Sequence, residues 1–331
     1  MVFRVTGNTV ISDDRKLTAN TFSVNNDSGI IEVVDTSPMV GTVAGYVSGG
    51  FNPTDSTVID KFPFASDTNA TNVGSLTQAR RGTVGQSSTI FGYSSGGGYK
   101  NTVDKFSFTY NGQATDVGDL LQRRSYTSGQ SSSVSGYTSG GYFAPPGTTY
   151  NNIDKFTFAG DANATDVGDL TVARYYVAGH SSATDGFITG GVLRTGGGPS
   201  TIYNTIDRFA FATDNNASDV GDLTSTKVGV AGQSSRTHGY VSGGSPPPST
   251  LNTIEKFLFS TSVNATDVGD LTQARSYLSG QSSLTHGYSS GGDSNPPIRA
   301  TIDKFPFATD TNATSVGGLT VSRIETAGQQ D

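Results

Sequence analysis

Gly287-Tyr288-Ser289-Ser290-Gly291-Gly292, then Thr301-Ile302-Asp303-Lys304-Phe305-Pro306-Phe307, then Asn312-Ala313-Thr314-Ser315-Val316-Gly317-Gly318-Leu319: this stretch decides the fold, because close copies of it occur six times. The glycine pairs are Gly49-Gly50, Gly96-Gly97, Gly140-Gly141, Gly190-Gly191, Gly243-Gly244 and Gly291-Gly292. Each precedes an Ile/Val-acid-base-Phe core whose acid is Asp60, Asp104, Asp154, Asp207, Glu255 or Asp303, at spacings of 44 to 53 residues. Every repeated piece is short and strand-like, so self-similarity at this period points to a propeller rather than to a solenoid of helix pairs.

Working outward, each repeat supplies four strands. In the Ile-Asp-Lys-Phe strand, Asp303, Phe305 and Phe307 face one side and Ile302, Lys304 and Pro306 the other, as a sheet sandwiched between neighbours requires. Pro63 and Pro306 cannot donate to a ladder and mark strand ends or edges. Ala-Thr-Asp-Val-Gly-Asp-Leu, at 114–120, 164–170 and 265–271, reads as a short outer strand. A basic residue follows in all six copies: Arg80, Arg124, Arg174, Lys227, Arg275 and Arg323. Then comes Gly-Gln-Ser-Ser, at 85–88, 129–132, 232–235 and 280–283, with His180 in place of glutamine in the third copy. The first Gly-Gly strand has no such strand before it, whereas residues 323–329 are that strand with nothing after it. Joining the two predicts an all-β fold: a six-bladed β-propeller of four-stranded antiparallel blades, closed by the C-terminal strand in the first blade and free of open edges. Glycine suits the inner strands, where six backbones converge.

Residues 1–37 lie outside the repeat. Val2-Phe3-Arg4-Val5 and Thr21-Phe22-Ser23-Val24 alternate like short strands, with Gly7-Asn8 and Ser12-Asp13-Asp14 as turns between them. Two such strands are marginal alone, so the segment reads as a short N-terminal arm that needs a partner surface. The domains are therefore 1–37, an arm, and 38–331, the propeller.

Composition narrows the function. A chain of 331 residues can bury a stable core although only 33% of them are apolar. No cysteine is present, so no disulfide or thiolate metal site holds the fold. No run is long enough to span a membrane and no signal-peptide pattern opens the chain, so the protein reads as soluble, with no membrane insertion. A net charge of −7 argues against nucleic acid as a partner.

The arginine before the inner strand, the Gly-Tyr-x-Ser-Gly-Gly strand, the Ile-Asp-Lys-Phe strand and the closing leucine together resemble the kelch-type β-propeller repeat across residues 38–331. The chain departs from that pattern in having no tryptophan on the outer strand and in the closeness of its copies. Near-identical repeats of this kind look like those of bacteriophage and marine-virus proteins. Residues 6–20, with Gly-x-x-Val-Ile-x-x-x-Arg-x-Leu spacing, are similar to a segment of phage tail-fibre proteins. The resemblance implies a non-enzymatic virion protein, a phage tail or head fibre. Its arm would bind other virion proteins and its propeller a host-surface protein or glycan. The rival readings are a structural tail-hub or decoration propeller and a carbohydrate-active enzyme. A homo-oligomer is left open.

The site residues expected for recognition lie in the variable loops between second and third strands: Phe51, Tyr99, Tyr142, Phe143, Tyr150, Arg194, Tyr203 and Arg299. Divergent aromatic loops on a rigid scaffold are a common way to build a binding surface. Prolines at Pro145-Pro146, Pro246-Pro247-Pro248 and Pro296-Pro297 stiffen them. Two readings stay open for the six basic residues. They form a ring at the channel mouth that attracts an anion such as a sugar acid, or each pairs with a carboxylate of its blade. Gln86, Gln130, Gln233, Gln281, Gln329 and His180 either hold channel water or a small ligand, or bond neighbouring strands. Sequons at Asn69, Asn163, Asn216, Asn264 and Asn312 recur with the repeat as turns, and glycosylation is not inferred from them. No catalytic residue, metal or cofactor is expected. His180, His238 and His286 are too dispersed to share a metal, and neither a Gly-x-Ser-x-Gly elbow nor a phosphate loop occurs. The Asp-box tryptophans of sialidase-type propellers and the cysteine of oxidase-type kelch enzymes are both missing.

Overall fold

The structure, a computed structural model, describes residues 41–194, 198–294 and 296–331, and four two-residue strands before them. It divides into two compact units, Met1–Ser37 and Pro38–Asp331. In the first, Arg4–Val5 pairs with Asn8–Thr9 and Ser23–Val24 with Ile31–Glu32, both antiparallel. Asn8, expected in a turn, is in a strand; Val2, Phe3, Gly7, Ser12-Asp13-Asp14, Thr21 and Phe22 lie outside the described residues.

The second unit contains six four-stranded antiparallel blades. In the sixth, the order from the centre outward is Ser279–Ser282, His286–Ser290, Thr301–Pro306 and Thr314–Gly318. The first blade takes its inner strand from the C-terminus: Ala327–Gln330 pairs with Ala44–Ser48, Gln329 opposite Tyr46. Ring closure by the last strand is therefore as expected. Pro63 and Pro306 each end their strand.

Packing between blades follows from the alternation in the third strand. Phe305 packs on Tyr240 and Ile254 of the fifth blade, and Ile302 on Val47 and Phe62 of the first. Phe106, Phe156, Phe209 and Phe257 repeat that arrangement around the ring, so every seam is an aromatic–aliphatic core. Burying such side chains is worth roughly 1.5–3 kcal/mol each.

The inner strands meet in a hexad of glycines. A methyl group on Gly85 would lie 2.0 Å from the Gly328 carbonyl oxygen, on Gly129 2.2 Å from that of Gly85, and so on through Gly179, Gly232, Gly280 and Gly328. Only a residue without a Cβ allows that approach.

The glutamines staple blades together. Gln86 donates to the Tyr137 carbonyl at 2.9 Å, Gln233 to that of Tyr288 at 3.0 Å and Gln329 to that of Tyr93 at 3.0 Å, each in the following blade. His180 does the same with Nδ1 against the Gln233 carbonyl at 3.1 Å. The sequon asparagines act likewise at the rim. Asn163, Asn216, Asn264, Asn312 and Asn69 each accept the backbone N–H of the preceding blade's outer strand at 3.0 Å. The second blade has Gln113 at that position, and Gly112–Gln113 instead adds a parallel fifth strand to the first blade.

Candidate functional site

The six basic residues require a correction. They do not ring the channel mouth: each is at most 1% exposed and absent from the channel lining. Arg80 meets Asp104 at 2.8 Å, and Arg124, Arg174, Arg275 and Arg323 meet Asp154, Asp207, Asp303 and Asp60 at 2.7 Å. Lys227 pairs with Glu255, so the shorter cation is matched by the longer acid. Each acid also accepts the N–H of the link from the preceding blade, as Asp303 does from Thr272 at 3.0 Å. Such a charge has no room for an incoming anion, and desolvation lowers the arginines from their ordinary range.

The mouth is made instead by the residue two positions after each basic one: Gly82, Tyr126, Tyr176, Gly229, Tyr277 and Glu325. Their backbones form a closed ring. Gly82 donates to Glu325, Tyr126 to Gly82, Tyr176 to Tyr126, Gly229 to Tyr176, Tyr277 to Gly229 and Glu325 to Tyr277, at 2.6–3.1 Å. That ring needs a left-handed backbone, and φ is 62° at Tyr126, 57° at Tyr176, 58° at Tyr277 and 57° at Glu325. Two positions use glycine, while four hold bulky residues at a cost of order 1–3 kcal/mol apiece. Strain of this kind collects at functional sites.

The loop aromatics join this ring. Tyr142 stacks on Tyr175 at 4.8 Å, and Tyr99 packs edge-on against Tyr126, Tyr142 and Phe143 at 5.9–6.5 Å. Tyr126 lies 4.4 Å from Tyr176, which lies 5.0 Å from Tyr277. The loops reach the mouth because Tyr142 bridges Ser125 and Val192 bridges Tyr175, prolonging the inner hairpins. Tyr142–Phe143 with Thr148–Thr149, and Val192–Leu193 with Thr201–Ile202, are themselves small hairpins. On the first blade Arg81 lies over the Phe51 ring at 4.4 Å. It also reaches Asp55 at 3.6 Å and Glu325 at 4.0 Å. Arg194 is exposed and faces Tyr175. Tyr150, Tyr203 and Arg299 are loop-end positions whose N–H groups bond Gly141, Gly191 and Gly292. They brace the loops, and Tyr203 also lies 5.9 Å from Arg174.

Below the rim is a cavity of about 120 Å³, floored by the glycine hexad and walled by residues that include Thr127, Val177, Val230 and Leu278. Beyond the hexad a second space of about 60 Å³ is lined by Ser87, Ser131, Ser181, Ser234 and Ser282. Among the described residues, Glu325 is the one carboxylate lining the upper cavity. Burial pushes its acid up to about 7; Asp55 adds to this, while Arg81 and the Tyr176 hydroxyl oppose it. His238 and His286 start equivalent strands of adjacent blades, and among the described residues no cluster of metal-binding groups occurs.

Reading the sequence for sites missed Tyr126, Tyr175, Tyr176, Tyr277, Arg81 and Glu325. The available signal was that the two positions after the basic residue vary in an otherwise regular repeat: Arg-Gly, Ser-Tyr, Tyr-Tyr, Val-Gly, Ser-Tyr and Ile-Glu. Together the ring and its mouth define a six-bladed β-propeller with an aromatic face around one end of its axis. No protein-family model matches the sequence, and it matches no curated protein.

Proposed function

We propose that the propeller is a non-enzymatic binding module carried on a virus particle, a phage tail or head fibre, whose aromatic mouth and loops contact a host-surface protein or glycan. The observation that carries this reading is the joining of Tyr99, Tyr142 and Phe143 with the strained tyrosine ring into one face. Rigid aromatics supply contact area at low entropic cost. Within the propeller, Gly41 bridges Ser283, in the turn between inner and second strands, at the end opposite the loops. The virion setting draws on the kelch-like repeat and the fibre-like segment at 6–20, and residues 1–37 would bind the other particle proteins.

Among the described residues one carboxylate lines the cavity, which fits binding better than glycoside hydrolysis, where two are ordinarily used. The test is competition. Recombinant chain should block adsorption of the particle to its host, and a variant carrying Tyr99→Ser, Tyr142→Ser and Phe143→Ser should block at least about tenfold less well, as loss of aromatic anchors predicts. Equal blocking by that variant removes the loop face from the reading.

A further inference from the structure

The cavity under the rim is too small for a whole ligand of drug size, whose sites run to roughly 300 Å³ or more. Its volume of about 120 Å³ suits one compact head group presented on something larger. The rim offers three tyrosine rings and one carboxylate, all four held at left-handed φ where glycine stands at two equivalent positions. Inside, Thr127 is buried and its hydroxyl has no hydrogen-bond partner, so a polar group is left for an occupant.

We propose that this cavity binds a quaternary ammonium head group, of the choline class, with Glu325 as counter-ion and Tyr126, Tyr176 and Tyr277 as its π faces. The inference rests on the binding-module reading and narrows it. Tyrosine faces attract cations through the ring quadrupole, by about 0.5–2 kcal/mol per contact. Glu325 is only loosely held: the Tyr176 hydroxyl donates to it at 3.4 Å, and Arg81 divides itself between Asp55 at 3.6 Å and Glu325 at 4.0 Å instead of clamping the carboxylate. Val177, Val230 and Leu278 below give N-methyl groups apolar contact, beside Thr83, Thr127 and Thr326 on the rest of the wall. The net charge of −7 favours a cation over an anion.

Proton linkage gives the proposal a signature. Glu325 faces Arg81 and Asp55 from the first-blade side and the phenols of Tyr126, Tyr176 and Tyr277 from the others. Burial raises all three phenols, so they stay neutral at pH 6–8, where the carboxyl with its acid near 7 changes charge. A bound cation favours the carboxylate, so affinity must rise with pH through about 7.

The experiment is calorimetric titration of the full chain with choline and with 3,3-dimethylbutanol, its neutral isostere, at pH 6 and pH 8 and constant ionic strength. Choline should bind at least about tenfold tighter than the isostere, and close to tenfold tighter at pH 8 than at pH 6. Glu325→Gln should weaken choline and flatten the profile. The wild-type profile stands as evidence even if that variant folds poorly. Equal binding of the isostere, a flat wild-type profile or no binding overturns the proposal. The adsorption assay separates this failure from the other: blocking that depends on the loops but ignores added choline keeps the binding module and discards the ammonium site.

Discussion

His180 sits where five blades carry glutamine, fully buried between the Gln233 carbonyl and the Thr189 hydroxyl. Burial lowers its pKa from 6.5 to about 4. The unfolded chain therefore takes up a proton near pH 6.5 that the folded chain refuses until about pH 4. The stability it contributes is present above pH 6.5 and is lost as pH falls through that window, by on the order of 3 kcal/mol. His180→Gln restores the staple of the other blades, so thermal melts should show little change at pH 8 and a clear gain over wild type at pH 4.5. Lys227 and Glu255 give a second residue-scale test. Lys227→Arg alone overfills a pair with no exposed surface, and Glu255→Asp alone leaves Lys227 short of its partner. Each single change should lose about 1–3 kcal/mol, and the double variant, which rebuilds the pair of five other blades, should recover most of it. Additive losses in denaturant titrations would show the two residues to be independent.

At the scale of elements, the strand Ala327–Gln330 bears more than its length suggests. It pairs with Ala44–Ser48, supplies Gly328 to the central hexad and, through Gln329, reaches both Ser48 and the Tyr93 carbonyl. Ending the chain at Thr326 keeps the Arg323–Asp60 pair and the mouth residue Glu325 but opens the first blade to solvent along its inner edge. Melting should then lose cooperativity, with a loss of several kcal/mol, and exchange protection should fall at Ala44–Ser48 and at Val84–Ser87. A peptide covering residues 323–331 added in trans should restore part of both. Much of this element was legible from the sequence, because a lone Gly-Gln strand at one end and a missing one at the other is a matter of counting. The loops were less legible. Tyr142–Phe143 and Val192–Leu193 form hairpins whose partners are set by ladder continuation through Ser125 and Tyr175, which no repeat period reveals.

For the whole molecule, what repeats builds the ring and what fails to repeat builds the mouth. The seams, staples and glycine hexad could be foreseen from the period, since each is one interaction made six times. The tyrosine ring could not, because it depends on a left-handed backbone shared by Gly, Tyr and Glu alike, and only the cyclic hydrogen bonds disclose that these positions meet. The same equivalence makes the first and last residues of the propeller interchangeable with other turns. Asp331 already accepts the N–H groups of Thr42 and Val43 and donates to the Ala44 carbonyl, as in a closed hairpin. A permutant of residues 42–331 with Asp331 linked to Thr42 by a short turn, reopened between Leu284 and Thr285, keeps one blade assembled from both ends. It should melt within a few degrees of the parent. Reopening in the link between an outer strand and the next inner strand, between Gln273 and Ala274, leaves six covalently complete blades held at one seam by side chains, glutamine staples and the mouth ring alone. That form should melt at lower temperature and bind choline less well, because the seam between the fifth and sixth blades carries Gly229 and Tyr277 of the mouth. Equal melting of the two permutants would mean that seam packing, and not the shared strand, closes the ring.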